Sequence, residues 1–219
     1  MKKILPLLVL AFSFASQANA QERLEPAASI YEMLQRPRFD QEAYFQHVKQ
    51  MAEALKTEEG ATLYARYISD PYGPYIFEII ILRGQWYIVC KNGVLKKNNT
   101  IFLGSNWAEI EQKKLPLAQH NASYIIDLFR SAALAARFPA QDHIDGYDGT
   151  THWFTVMEKT HITGRIWSPR AGSNTNRLVG ICRTIRKTAE ETEPGEELRV
   201  SEELLEEIIE LRDTFKALR

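Results

Sequence analysis

The apolar residues of this chain recur at two different periods, and the switches between them mark its elements. Between Leu63 and Leu103 the period is that of strands: Leu63 to Ile68, Tyr75 to Leu82, Gln85 to Lys91, then a shorter pair at Val94 to Lys97 and Thr100 to Leu103. Asp70-Pro71-Tyr72-Gly73-Pro74, Arg83-Gly84, Asn92-Gly93 and Asn98-Asn99 separate them, and Asn92-Gly93 has the residue types that the positive φ angles of a type I′ turn require. The spacing predicts an antiparallel meander. Ile79 to Leu82 is an unbroken apolar run, as expected of a strand covered on both faces, which puts the Tyr75 to Leu82 strand at the sheet centre. A second β segment lies between the Asp148-Gly149 turn and Pro169. Its first arm alternates Thr150, His152, Phe154 and Val156 with Thr151, Trp153, Thr155 and Met157, and its second ends at Ile166 and Trp167, so the two arms read as a hairpin.

Helical spacing appears on either side of these segments. Pro26 to Leu34 reads as a short helix stopped by Arg36-Pro37-Arg38. After Asp40, whose carboxylate suits an N-cap, Tyr44, Val48, Met51 and Leu55 form one stripe that ends at Gly60. Trp107 begins a helical stretch interrupted at Leu115-Pro116, and Ala122 to Arg137 is a firmer helix with Ile125, Ile126, Phe129, Ala132, Ala133 and Ala136 on its apolar side. Beyond Pro169, Ser173 or Asn174 caps a helix that buries Leu178, Ile181, Cys182 and Ile185. Residues 190–200 form an acidic linker. Residues 201–218, opened by Ser201, form an amphipathic helix whose Leu204, Ile208, Leu211, Phe215 and Leu218 face either their own domain or a second chain. These elements predict an α+β fold, an antiparallel sheet made of the meander plus the hairpin with helices packed against it.

Residues 1–20 have a different character. Lys2 and Lys3, the apolar run Ile4 to Phe14 and the small-residue site Ala18-Asn19-Ala20 predict a secretory signal peptide cleaved after Ala20, leaving 21–219 as a single domain. The run is too short to span a bilayer and nothing later approaches eighteen continuous apolar residues, so the expected location is the periplasm and not the membrane. The chain of 219 residues is 45 % hydrophobic and 11 % aromatic, which fits a globular domain and not a disordered one. Without Lys2 and Lys3, 25 basic against 28 acidic residues leave a charge near −3, spread too evenly for a phosphate-binding surface. Nucleic acid is not an expected partner.

Candidate chemistry gathers in the loop and hairpin, where His143, Asp145, Asp148, His152 and His161 bring nitrogen and oxygen ligands within one stretch. Their spacing matches no closed metal motif, and neither His-Glu-x-x-His nor Gly-x-Ser-x-Gly occurs, so no cofactor and no catalytic residue is assigned. Tyr64, Tyr67, Tyr72 and Tyr75 can line a groove, although packing with the hydroxyl at a boundary is the commoner role of tyrosine. Trp153 and Trp167 lie on strands that should pair. They are core residues if they share the buried face and candidate binding aromatics if they do not. Cys90 alternates with Trp86 and Ile88 along its strand, while Cys182 lies on the inner stripe of its helix. Export to an oxidising compartment leads us to expect a disulfide between them, the alternative being two separate buried thiols.

Asp148-Gly149-Thr150-Thr151, the aromatic-rich strand, Arg165-Ile166-Trp167-Ser168-Pro169 and a helix beginning near Arg177-Leu178-Val179 resemble a closing segment of uncharacterised secreted proteins of Gram-negative bacteria. The resemblance implies a bacterial envelope compartment and a strand–strand–helix order, and it carries no catalytic residue. The expected function is a non-catalytic periplasmic binding or interaction protein with a protein partner, an inhibitor or immunity protein being one concrete version. The alternative is a periplasmic hydrolase or metal-dependent enzyme built on the His143 to His161 region.

Overall fold

The computed structural model describes residues 24–27, 49–70, 75–95, 107–137 and 150–219. Among the described residues the strands are β1 (Glu25–Pro26), β2 (Ala61–Asp70), β3 (Tyr75–Leu82), β4 (Gln85–Leu95), β5 (Trp107–Pro116), β6 (Thr151–Met157) and β7 (His161–Trp167). They form one antiparallel sheet in the order β1-β7-β6-β2-β3-β4-β5. The hairpin β6–β7 therefore joins the meander through β6, which pairs with β2, placing Tyr67 opposite Phe154 and Ile68 opposite Trp153. The helices α1 (Gln119–Leu134), α2 (Asn174–Glu191) and α3 (Glu202–Ala217), with a helical segment at 49–54, pack against the sheet in an α+β fold.

Strand alternation sends side chains to two faces, and each face has its own core. On the first, Ala65, Tyr67, Phe77, Ile79, Ile88, Phe154 and Ile166 pack with the inner stripes of the three helices. On the second, Ile68, Ile76 and Trp153 pack with Met51 and Ala54 from the helical segment at 49–54 and with Leu55 just beyond it. Residues 75–80 of β3 are buried on both faces, whereas Ile81 and Leu82 at the end of the expected apolar run are half-buried; β3 lies inside the sheet between β2 and β4, one strand from the middle, which is β2. The hydroxyl of Ser173 caps α2 by accepting from the Asn176 N–H at 3.1 Å, and that of Ser201 caps α3 from the Leu204 N–H at 3.2 Å. The inner stripe of α3 buries Leu204, Ile208, Leu211 and Phe215 against α1 and α2, so this helix docks on its own chain, while Leu218 is 40 % exposed. The acidic linker expected over 190–200 starts later, because α2 runs through Glu191, and within it Leu198 is buried and bridges Leu117.

Three local expectations are corrected. Pro26 belongs to a strand, opposite Gly164 of β7, and not to a helix; an edge position suits a residue with no N–H to donate. Asn92-Gly93 is not a turn, because β4 continues through it with Asn92 opposite Glu111 and Gly93 opposite Ile110. Trp107–Pro116 is strand β5 and not a helix: Glu, Gln and Lys favour helices in isolation, but pairing with β4 overrides that preference, and charged residues suit a sheet edge. The expected turn at Asn98-Asn99, the strand at Thr100 to Leu103, and Asp40, Tyr44 and Val48 lie outside the described residues.

Candidate functional site

The first-face end of the sheet under α2 is where chemistry-bearing side chains converge. Tyr67 from β2 and His152 from β6 project the same way, with the Tyr67 hydroxyl 2.9 Å from His152 Nδ1 and the rings stacked at 5.9 Å. Both are 2 % exposed. One register step away the Tyr75 hydroxyl donates to Cys90 Sγ at 3.3 Å, and the Tyr75 ring lies 6.4 Å from that of Tyr67. From α2, the Arg186 guanidinium sits over the Tyr75 ring at 4.4 Å, and Cys182 is fully buried among its neighbours.

Burial sets the protonation of this cluster. Loss of solvent pushes His152 down to about 4, with the charge of Arg183 adding to it, so the imidazole is neutral. Burial pushes the Cys90 thiol up to about 11 against a smaller lowering by the Tyr75 hydroxyl, and it drives Cys182 well above the ordinary thiol range. Tyr67 and Tyr75 rise well above the phenol range for the same reason. Every one of these groups is therefore held in its neutral form.

The second face holds a buried ion cluster. Arg66 Nε donates to Glu78 Oε1 at 2.7 Å, its Nη2 also reaches that oxygen, and Lys91 Nζ lies 2.9 Å from Glu78 Oε2. The same cations donate to carbonyls where the 49–54 helical segment ends: Arg66 to Leu55 at 2.6 Å, Lys91 to Ala54 at 2.9 Å and to Lys56 at 2.7 Å. Positive charge against the negative end of a helix is favourable, and here it fastens that segment to the sheet.

His152 and His161 do not meet. His152 is buried on the first face, whereas His161 is exposed, opposite Met157 at the far end of the hairpin and on the other face, ~16 Å along the strand. His143, Asp145 and Asp148 lie outside the described residues. Among the described residues no group of three or more His, Cys, Asp or Glu is placed to hold a metal ion. Trp153 is a core residue at 4 % exposure, and Trp167 is half-buried on the same face. The expected Cys90–Cys182 disulfide is not formed, and both are free thiols. Each is accommodated as a small apolar side chain, Cys90 beneath the Tyr75 hydroxyl and Cys182 on the inner stripe of α2.

Arg183 and Arg186 and the Arg66–Glu78–Lys91 cluster escape sequence reasoning. The one available signal was Glu78, a charge set between Phe77 and Ile79 in an otherwise apolar strand. No family model, curated relative or solved structure matches the chain.

Proposed function

We propose that the chain is exported, cut after Ala20, and acts in the periplasm as a non-catalytic binding protein whose partner is another protein. The observation that carries the non-catalytic reading is the state of its reactive groups. His152, held on Tyr67 and pushed down to about 4, is a poor proton acceptor at neutral pH, and a thiol at about 11 is a poor nucleophile. The export reading rests on the composition of Met1 to Ala20 and is supported by Leu24, which docks in the core four residues beyond the cut. No helix of the described residues is long and apolar enough to cross a membrane. An inhibitor or immunity protein is the concrete version, in keeping with the resemblance to secreted Gram-negative proteins in the hairpin and α2.

Crosslinking in cells followed by purification of a C-terminally tagged chain from the periplasmic fraction tests both parts. The expected product begins at Gln21 and carries one protein partner in constant ratio. A chain that keeps Met1 and stays in the cytoplasm overturns the export reading. A chain recovered alone, with hydrolysis of a broad ester and peptide panel that His152→Phe abolishes, overturns the binding reading.

A further inference from the structure

Among the described residues the sheet is extended at its β7 edge by two residues, with Glu25 opposite Arg165 and Pro26 opposite Gly164. Outside that short ladder, the Ala27 N–H donates to the Thr163 carbonyl at 3.0 Å, and the Arg137 N–H, just beyond α1, donates to the Leu24 carbonyl at 2.9 Å. Between these anchors the Leu24 side chain enters the core and is 1 % exposed. The space it fills exists because residue 164 is glycine. A Cβ there would lie 2.9 Å from Leu24 Cδ1, 3.2 Å from its Cβ and 3.4 Å from the Ala133 Cα. The floor of the slot is thus bare β7 backbone, and its wall is the small-residue end of α1.

We propose that this slot is a strand-acceptor site: it takes an extended peptide with a leucine-sized apolar side chain at the pocket position, and residues 24–27 are its occupant in cis. The occupant is held by main-chain pairing and by the apolar side chain of Leu24, and that combination is how sheets recognise added peptide strands. The receiving parts are built by elements distant in sequence, β7 and the end of α1. Pro26 suits the role as well, since it offers no outward N–H on which a further strand could grow. The ligand class is therefore an unfolded, leucine-bearing segment. The site is independent of the reading of His152 and the thiols.

A protease recognition sequence is inserted after residue 28, and the full chain is folded and then cut, leaving the N-terminal fragment that carries residues 24–27 without a covalent link. A fluorescent peptide of residues 21–27 should then exchange into the cut protein and bind saturably. The same peptide with Leu24→Asp should bind at least roughly tenfold more weakly, because its carboxylate would have to enter an apolar pocket. The uncut protein should take up neither. If cutting unfolds the protein, the readout is recovery of circular dichroism on adding peptide, expected with leucine and not with aspartate. Equal behaviour of the two peptides, no uptake and no recovery, or equal uptake by the uncut chain overturns the site.

Discussion

Glu78 and His152 illustrate opposite solutions to burying a polar side chain. Glu78, 1 % exposed, is met in the core by Arg66 and Lys91, which also donate to carbonyls at 54, 55 and 56. Removing one member of such a cluster leaves the others unpaired, so Glu78→Gln should cost about 3–5 kcal/mol in urea denaturation at pH 7. The combined replacement Arg66→Met, Glu78→Leu, Lys91→Met should cost less than Glu78→Gln alone; a larger cost would mean that the carbonyls it orphans outweigh the stranded charges. His152 is instead buried neutral. Its folded value of about 4 lies below the ordinary 6.5, so between these values the unfolded chain binds a proton that the folded chain does not. The stability this contributes is complete above pH 6.5 and is lost as the pH falls to 4, about 3 kcal/mol in all. His152→Phe removes that dependence. Subtracting its stability curve from that of the natural chain across this window should return the loss, and parallel curves would show that the imidazole titrates normally.

Among the elements, α1 and the β6–β7 hairpin approach closely because small residues line their contact: Ala132 and Ala133 on the helix and Gly164 on β7. Gly164→Val should cost about 1–3 kcal/mol by overpacking, and Gly164→Ala less, since the nearest atom, Leu24 Cδ1, is the movable end of a side chain. Thermal melts would order the two. Truncation at Glu193 removes α3 and uncovers the surfaces of α1 and α2 that Ile208, Leu211 and Phe215 cover, so the melting temperature should fall steeply; an unchanged melt would contradict the docking. Both helices were legible in the sequence because a stripe of period 3.6 is written in one continuous segment. The β5 strand was not, since the feature that makes Glu109 to Lys114 a strand is the register with Val89 to Val94, which no local window contains. The Arg66–Glu78–Lys91 cluster was hidden for the same reason: its members sit on three strands, and only the pairing of Arg66 with Glu78 and of Ile76 with Lys91 brings them together. The Tyr67–His152 pair likewise depends on the β2–β6 register, although each residue could be singled out alone.

At the scale of the whole molecule, the fold and the proposed compartment make competing demands on Cys90 and Cys182. An oxidising compartment favours a disulfide when two thiols are within reach, but exchange proceeds through a thiolate attacking a disulfide sulfur. With Cys90 pushed up to about 11, roughly one molecule in ten thousand carries that thiolate at pH 7, and Cys182 lies well above the ordinary range too. Both sulfurs are also screened from any exchange partner, Cys90 at 5 % exposure and Cys182 at 0 %. The Tyr75 hydroxyl, which donates to Cys90 Sγ, would lose that acceptor if the sulfur turned toward a partner. The folded chain therefore keeps both thiols reduced even where disulfides normally form. Protein taken from the periplasm, denatured without reductant and alkylated, should carry two adducts by mass spectrometry, whereas the native protein should react with a thiol reagent only as fast as it opens. A mass without adducts would mean that the bridge closes before burial is complete, and the packing of α2 over β3 and β4 would then have to shift to accommodate it.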